Sequence, residues 1–188
     1  MMRMHRERSQ LLIVDLQEKV TPAVQNAASV VEVCSRLVHI AGRLGVPVTV
    51  SQHYAKGLGP IVEPLRAALD ALDEKAVTLD KVHFSCVSDE ALHQRFDALR
   101  DHGRGQVVVA GIEAHVCVGQ TVLDLIADGF EVYVAADGVS SRSGRSRLLS
   151  LKRIRQAGGY VVDSEMVMFE WLEKAGTPEF KELIGLLK

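Results

Sequence analysis

The feature that most constrains the fold is a repeated alternation of short apolar segments with longer segments of helical periodicity. The apolar segments are rich in β-branched residues and predict strands at 11–15, 46–51, 76–80, 106–111, 131–137 and 159–163. Several are apolar throughout, which is typical of parallel strands that are covered on both faces. One of them continues directly into a helix in "VVVAGIEAHVCVGQTVLDLI", with Cys117 near the junction.

The segments between the strands have the spacing of amphipathic helices. Residues 29–44 carry their apolar side chains on one face, and the pattern stops before Gly45 and Pro47. Further helices are predicted at 88–99 with Ser88 as the N-cap, from Cys117 to Gly129, and at 145–158. Repeated strand–helix–strand units predict an α/β fold, with helices on both faces of a parallel sheet.

Length and charge set limits on the class of protein. A chain of 188 residues has the usual size of one domain, so residues 1–188 are predicted to form a single unit. The net charge of −2 favours neither nucleic acid nor an anionic membrane as a partner. No apolar run of about 18 residues is present, and "LLIVDL" is too short for a signal-peptide core. We therefore expect a cytoplasmic protein, with the basic segment 3–8 as a solvated tail.

The three cysteines are an odd number and lack C-x-x-C spacing. This pattern argues against a disulfide framework and against a structural zinc site. Cys34 lies on the apolar face of a predicted helix and is expected in the core. Cys86 lies in a loop near Lys81, and its proximity to a functional site stays open at this point.

Three chemically capable residues lie at predicted strand ends. Asp15 ends the first strand, Lys81 follows the third, and Cys117 follows the fourth. Taken singly, they are explained as a turn cap, a solvated lysine and a buried thiol. Ligands of open parallel sheets bind at the carboxyl ends of the strands, where these side chains are expected to meet.

Together the three residues suit nucleophilic catalysis. Unpaired N–H groups at a helix start and a nearby Lys81 would lower the pKa of the Cys117 thiol. Asp15 is suited to take the thiol proton and return it to a leaving group. A tight turn in "GIEAHVC" would aim the N–H groups of Glu113 and Cys117 at one point, as an oxyanion hole.

Four blocks of the sequence, in order, resemble the isochorismatase-like cysteine hydrolases. They are "LLIVDLQEKV", "TLDKVHFSCV", "GIEAHVCVGQTVLDL" and "DGVSSRS", and "GLGP" with "FKELIGLLK" resembles the isochorismatase domain-containing subgroup. The resemblance implies a catalytic triad of Asp15, Lys81 and Cys117 in a three-layer αβα sandwich. It also implies a six-stranded, Rossmann-like parallel sheet, a cis peptide bond between Ile112 and Glu113, and a homo-oligomer.

Two departures from the superfamily narrow the chemistry. Nicotinamidases of the superfamily bind a metal through an Asp-x-His motif, but this chain reads "SQHYAKG", with Ser51 at the Asp position. We therefore expect no catalytic metal and no other cofactor, and His53 is expected in a loop or pocket wall. Isochorismatases proper cleave a vinyl ether without a cysteine, so the presence of Cys117 favours acyl transfer.

The leading hypothesis is hydrolysis of a small amide or related C–N bond through a covalent acyl-enzyme. A small-molecule substrate would bind a pocket formed by Gln52, Tyr54, Phe84, Glu113 and His115. For Tyr54 and His115, packing or an oligomer contact is an equally open interpretation. One alternative is an oligomeric interaction module that retains a vestigial triad. Another is a thiol redox protein in which Cys86 pairs with Cys117.

Overall fold

A parallel sheet forms the centre of the protein. The computed structural model describes residues 3–72 and 76–187. Its strands are β1 (Ser9–Val14), β2 (Val48–His53), β3 (Ala76–Lys81), β4 (Gln106–Ile112), β5 (Glu131–Ser140) and β6 (Tyr160–Val162). In the described part of the chain these six strands pair in parallel, in the order β3-β2-β1-β4-β5-β6. This order confirms the predicted Rossmann-like sheet.

Helices cover both faces of the sheet. They are α1 (Ala27–Leu44), α2 (Ala55–Leu58), α3 (Glu63–Asp70), α4 (Glu90–Asp101), α5 (Gly119–Ala127), α6 (Gly144–Gln156), α7 (Ser164–Leu172) and α8 (Pro178–Leu183). Apolar side chains of α1, α3, α7 and α8 pack on one face, and those of α4, α5 and α6 pack on the other. This arrangement confirms the three-layer α/β architecture. Among the described residues, no helix is long and apolar enough to cross a membrane.

The central strand β1 shows why the apolar runs predict the sheet. All six of its residues are buried. Leu11 and Ile13 belong to the core under α1, whereas Leu12 and Val14 belong to the core under α4 and α5. Because successive side chains of a strand point to opposite faces, residues 11–14 between the two helix layers are all apolar. Ser9 and Gln10 at the start of the strand are buried too, and their side chains donate to the carbonyl oxygens of His5 and Arg104.

Several element boundaries differ from the prediction. The N-cap of α4 is Asp89, not Ser88, and its side chain makes no capping hydrogen bond. Residues Ala114–Val118 form a single π-helical turn, so the helix after Cys117 begins at Gly119. Strand β5 runs on to Ser140, beyond the predicted end at 137. Element ends depend on local hydrogen bonds, which periodicity does not resolve.

The basic segment 3–8 is not a solvated tail. Met4 is fully buried, and its N–H donates to Glu170 Oε2 at 2.6 Å. The N–H of His5 donates to Gln106 Oε1 at 2.8 Å, and Arg8 forms an ion pair with Glu131. A single apolar residue among cations thus anchors the segment against the body of the protein.

Candidate active site

The site lies where the strand order reverses between β1 and β4. From β1 the chain proceeds to β2 on one side, and from β4 it proceeds to β5 on the other. The connections leave on opposite faces, which opens a crevice at the carboxyl ends of the two strands. Asp15 directly follows β1, Cys117 lies in the π-helical turn after β4, and Lys81 is the last residue of β3.

Asp15 is a buried carboxylate with two polar neighbours. It is 3% exposed and adopts a left-handed backbone conformation with a φ of 52°. Ser51 Oγ donates a hydrogen bond to its Oδ1 at 2.7 Å, and Lys81 Nζ lies 2.8 Å from its Oδ2. Positive φ in a non-glycine residue costs free energy and recurs at functional sites. The backbone and Ser51 together aim this carboxylate into the crevice.

Lys81 is fixed by three acceptors. Its side chain is buried, and besides Asp15 its Nζ donates to the carbonyl oxygens of His83 and Phe84, each at 3.1 Å. Burial has the largest single effect and lowers the pKa of Lys81, but the charge of Asp15, the two neighbouring cysteines and a hydrogen bond to Asp15 together outweigh it, so the net pKa is raised. An ammonium group has three donors. Lys81 is therefore a fixed cation that ties Asp15 to the 83–84 segment.

The Cys117 thiol differs from the sequence prediction. Burial raises the pKa of Cys117, and the negative charge of Asp15 and a hydrogen bond to its carboxylate raise it further. Lys81 lowers the pKa, but not enough to reverse the shift. The direction of this shift is opposite to the predicted lowering, because the expectation left out burial and the adjacent carboxylate. The surroundings of Cys117 therefore favour the protonated thiol, next to the Asp15 carboxylate.

Cys86 is part of the wall behind this pair. It is fully buried, and its N–H donates to Thr121 Oγ1 at 2.9 Å. Burial and the charge of Asp15 raise the pKa of its thiol to about 11, although the charge of Lys81 and hydrogen bonds with Thr121 and Ser51 lower it. Cys34 is fully buried, and its Sγ donates to Gly138 O at 3.4 Å, so its predicted place in the core is confirmed.

Glu113 joins the turn before Cys117 to the end of β5. The peptide bond between Ile112 and Glu113 is cis. The Glu113 carboxylate accepts hydrogen bonds from the N–H of Arg142 at 2.8 Å and from its Nε at 3.0 and 3.1 Å. Arg142 is otherwise exposed. Glu113 and Arg142 therefore form an ion pair at the rim of the site.

A cavity of about 270 Å³ opens onto the thiol. It is lined by Asp15, Val20, His53, Leu58, Phe84, Ile112, Glu113, Val116, Cys117 and Arg142. Larger surface depressions of about 630 and 700 Å³ lie elsewhere, and neither is lined by a cysteine. The chemistry of the side chains, not the size of the depression, identifies the smaller cavity as the candidate active site.

Only part of the predicted pocket lies in this lining. Phe84 and Glu113 line the cavity, but Gln52, Tyr54 and His115 do not. Gln52 Nε2 donates to Asp80 Oδ1 at 3.1 Å, and Tyr54 is exposed. His115 Nδ1 lies 3.0 Å from Ser141 Oγ and faces a separate depression beside α6.

Arg142 and His53 complete the lining. Arg142 lies in "DGVSSRS", and this motif was the available signal for its position. His53 forms the predicted pocket wall, and its ring lies tilted against Phe84 with the centroids 5.3 Å apart. Burial and the charge of Lys81 lower the pKa of His53. Among the described residues, no group of three or more His, Cys, Asp or Glu side chains is arranged to hold a metal ion.

Gly111 allows β4 to approach the end of β1. It has a φ of 114°, pairs with Val14, and a Cβ at this position would overlap the backbone of Val14. We expect Gly111→Ala to lower the free energy of unfolding by about 3 kcal/mol or more, because it combines this overlap with positive-φ strain. Urea unfolding measures the loss.

Gly103 provides the matched control for Gly111. It has a φ of 84°, and a Cβ there would have no neighbour within 4 Å. Gly103→Ala should therefore cost only the backbone strain, about 1 kcal/mol. Equal losses in the two variants would show that the close approach of β1 and β4 is not important for stability.

Known proteins share both the sequence pattern and the fold. The isochorismatase domain model matches residues 9–166. Isochorismatase domain-containing protein 1 of Danio rerio is 38% identical over 176 residues, which are 93% of this chain and 59% of that protein. The chain thus spans less than two thirds of that relative.

Two solved structures superpose over nearly the whole chain. One is described as the MAR1 ribonuclease from Caenorhabditis elegans, with a TM-score of 0.90, 33% identity, and coverage of 99% of this chain and 92% of that one. The other is the YcaC protein from Escherichia coli, described as an octameric hydrolase of unknown specificity. Its TM-score is 0.87 at 21% identity, with 99% and 91% coverage, a likeness that shows the fold alone.

Proposed function

Because this chain belongs to the isochorismatase domain family of hydrolases, we propose that it hydrolyses a small amide or related C–N bond through an acyl-enzyme on Cys117. The observation that carries the proposal is that Cys117 and Asp15 line one small cavity, with the buried Lys81 paired to Asp15. A thiol next to a buried carboxylate has a nucleophile and its base in contact, which is the arrangement that covalent catalysis requires.

In the first half-reaction, Asp15 accepts the thiol proton as the sulfur attacks the substrate carbonyl. A C–S bond forms, and the carbonyl oxygen takes the electron pair of its π bond. When this tetrahedral intermediate collapses, the C–N bond breaks and Asp15 gives its proton to the leaving nitrogen. The raised pKa of Cys117 suits this order, because the thiol keeps its proton until substrate is bound.

In the second half-reaction, Asp15 takes a proton from water, and the resulting hydroxide attacks the thioester. The C–S bond breaks, and the proton on Asp15 returns to the sulfur. The products are a carboxylic acid and an amine, and the enzyme regains its resting state. In both half-reactions the N–H groups of Glu113 and Cys117 are the proposed donors to the oxyanion.

Lys81 acts in this scheme as a positioning residue. Its ammonium group contacts Asp15 and two backbone carbonyls, so it orients the carboxylate and the Phe84 segment. It also offsets part of the negative charge that builds up when the thiol ionises. A buried cation that already has three acceptors is poorly suited to donate a proton to substrate.

The charges around the cavity favour a small substrate without a large net charge. Asp15 is paired with Lys81, and Glu113 is paired with Arg142. The remaining lining is mostly apolar, with Val20, Leu58, Phe84, Ile112 and Val116. Among the described residues that line the cavity, a dianionic substrate would therefore find no unpaired cation except the outer part of the Arg142 guanidinium.

Intact-protein mass spectrometry during turnover tests the proposal directly. We expect a panel of small aliphatic and aromatic primary amides to include at least one that adds its acyl mass to Cys117 and releases ammonia. Peptide mapping assigns the modified residue. Ammonia release without any acyl adduct, even after rapid acid quenching, would contradict the covalent mechanism.

RNA serves as the comparison substrate, because the name of the Caenorhabditis elegans structure includes ribonuclease. We expect no cleavage of RNA that depends on Cys117, since a cavity of about 270 Å³ with mostly apolar walls offers little to a polyanionic chain. RNA cleavage that Cys117→Ala abolishes would overturn the amide assignment.

The other two hypotheses are less well supported. A peroxide-sensing thiol needs thiolate character, but burial raises the pKa of both Cys86 and Cys117. An inactive module would not be expected to keep the Asp15–Lys81 ion pair buried beside a thiol. We further propose that the protein is a cytoplasmic homo-oligomer, in line with its three free cysteines and the octamer described for the Escherichia coli protein.

A further inference from the structure

The outward face of α6 combines basic residues with exposed leucines. Residues 142–155 contain six Arg or Lys residues and no Asp or Glu. Leu148 and Leu149 are 64% and 58% exposed, although they lie in the middle of a helix. Exposed cations at helical spacing surround them, and we call this set the basic face: Arg145, Leu148, Leu149, Lys152 and Arg153.

The outward face of α7 has the opposite charge. Residues 163–173 contain four Asp or Glu residues and no Arg or Lys. Met166 and Phe169 are 51% and 43% exposed. We call the following set the acidic face: Asp163, Glu165, Met166, Phe169 and Glu173. Each face thus presents two large apolar side chains among charges of one sign on its own helix, and Arg3 of the N-terminal segment also lines the depression beside Met166 and Phe169.

Most charges of the two faces are not neutralised within the chain. Among residues 3–72 and 76–187, Arg145, Lys152, Arg153 and Glu165 have no ion-pair partner, and Glu173 contacts only His5. Helix α6 packs on one face of the sheet and α7 on the other. The two faces of one molecule therefore cannot cover each other.

We propose that the basic face of one copy docks on the acidic face of a second copy. Opposite charges at the border fix the orientation, and burial of four exposed apolar side chains supplies affinity. Each face also borders a surface depression, of about 260 Å³ beside Leu149 and Arg153 and about 450 Å³ beside Met166 and Phe169. These depressions provide space for the apolar side chains of the partner.

A symmetric contact between like faces is disfavoured. Two basic faces in contact would bring at least three unpaired cations from each copy together, and like charges at an interface are repulsive. The exposed apolar side chains alone would allow contacts between like faces as well as between unlike faces. The surrounding charges therefore determine that the basic face contacts the acidic face. His115 lines the depression beside the basic face, which agrees with an oligomer contact as one interpretation of that residue.

Charge reversal on each face tests the proposal. We expect the wild-type chain to be oligomeric by size-exclusion chromatography with light scattering. The basic-face variant Arg145→Glu/Lys152→Glu and the acidic-face variant Glu165→Lys/Glu173→Lys should each lose at least one contact and give a smaller mass. Mixing the two variants should restore assembly, because each then supplies a face complementary to the other.

Matched charge changes elsewhere serve as controls. Lys181→Glu on α8 and Asp101→Lys on α4 alter residues that are also exposed but lie outside both faces, and they should leave the mass unchanged. Circular dichroism establishes that all variants are folded. A monomeric wild-type chain, an unchanged mass in both reversed variants, or failure of the folded variants to reassemble on mixing would each overturn the proposal. None of these outcomes depends on amide hydrolysis.

Discussion

Replacement of Cys117 by alanine is expected to lower kcat for amide hydrolysis by at least about 10⁴-fold, because the nucleophile of both half-reactions is lost. The substitution removes one sulfur atom from a residue that lines the cavity, so the fold should persist. Ammonia release from the amide that shows the highest wild-type rate measures the effect, and the acyl adduct should be absent.

Cys86→Ala is the matched control for this result. Cys86 is also a buried thiol close to Asp15, but it does not line the cavity. Its replacement should leave most of the activity, since no step of the proposed reaction uses its sulfur. Hydrolysis by Cys117→Ala near the wild-type rate would rule out a covalent mechanism on Cys117. Loss of activity in Cys86→Ala alone would show that Cys86, not Cys117, is the nucleophile.

Asp15→Asn is expected to change turnover and thiol reactivity in opposite directions. Hydrolysis should fall by about 10²- to 10⁴-fold, because the variant lacks the general base and acid. Alkylation of Cys117 by iodoacetamide at pH 7 should nevertheless become several-fold faster. The carboxylate of Asp15 raises the pKa of the thiol through its charge and its hydrogen bond, so its removal lowers that pKa and increases the thiolate fraction.

The size of this gain is limited by nucleophilicity. A fall of one pKa unit increases the thiolate fraction about tenfold, but the intrinsic reactivity of a thiolate declines with its pKa. The net gain is therefore about three- to fourfold for each unit. Lys81→Met should act in the opposite direction, because Lys81 lowers the pKa of Cys117, and alkylation at pH 7 should become slower.

The pH profile of alkylation separates these effects from loss of structure. In the wild type the rate should rise with pH through the raised pKa of Cys117, so the curve lies to the alkaline side of free cysteine, whose pKa is about 8.5. Asp15→Asn should move the curve to lower pH and Lys81→Met to higher pH. Each variant also leaves one buried charge without its partner, which costs about 3–5 kcal/mol of stability, so alkylation is measured below the unfolding transition.

An acid displacement of the Lys81→Met curve, or an alkaline displacement of the Asp15→Asn curve, would contradict the charge assignments at the site. Peptide mapping must show that iodoacetamide modifies Cys117 and leaves Cys34 and Cys86 unmodified. These two thiols are fully buried and do not line the cavity, so they report any loss of the native fold.

Most of the strands and several helices could be predicted, because the periodicity of apolar residues is a local property of the sequence. An apolar run such as 106–111 can be buried on both faces only in a central parallel strand, and its position along the chain follows directly from the residues. The short helices α2, α3, α7 and α8 were not predicted. In α7 the signal was available at its N-cap, where Asp163 accepts a hydrogen bond from the N–H of Met166.

The residues that line the cavity could be predicted only in part, because their positions depend on contacts between segments that are distant in sequence. Arg142 reaches the cavity only because β5 continues to Ser140 and because Glu113 holds the guanidinium. Gln52 was expected in the pocket by its place after a strand, yet its side chain turns to Asp80. Side-chain direction at a strand end depends on neighbouring strands, which no local window of sequence contains.

The sequence by itself determined the α/β architecture, because strand and helix periodicities are properties of consecutive residues. It also indicated the strand ends that carry Asp15, Lys81 and Cys117. Only the tertiary structure decided the direction in which the pKa of Cys117 is shifted, since the pKa of a buried thiol depends on burial and on charges that are distant in sequence. It likewise decided which residues line the cavity and which apolar side chains remain uncovered on α6 and α7.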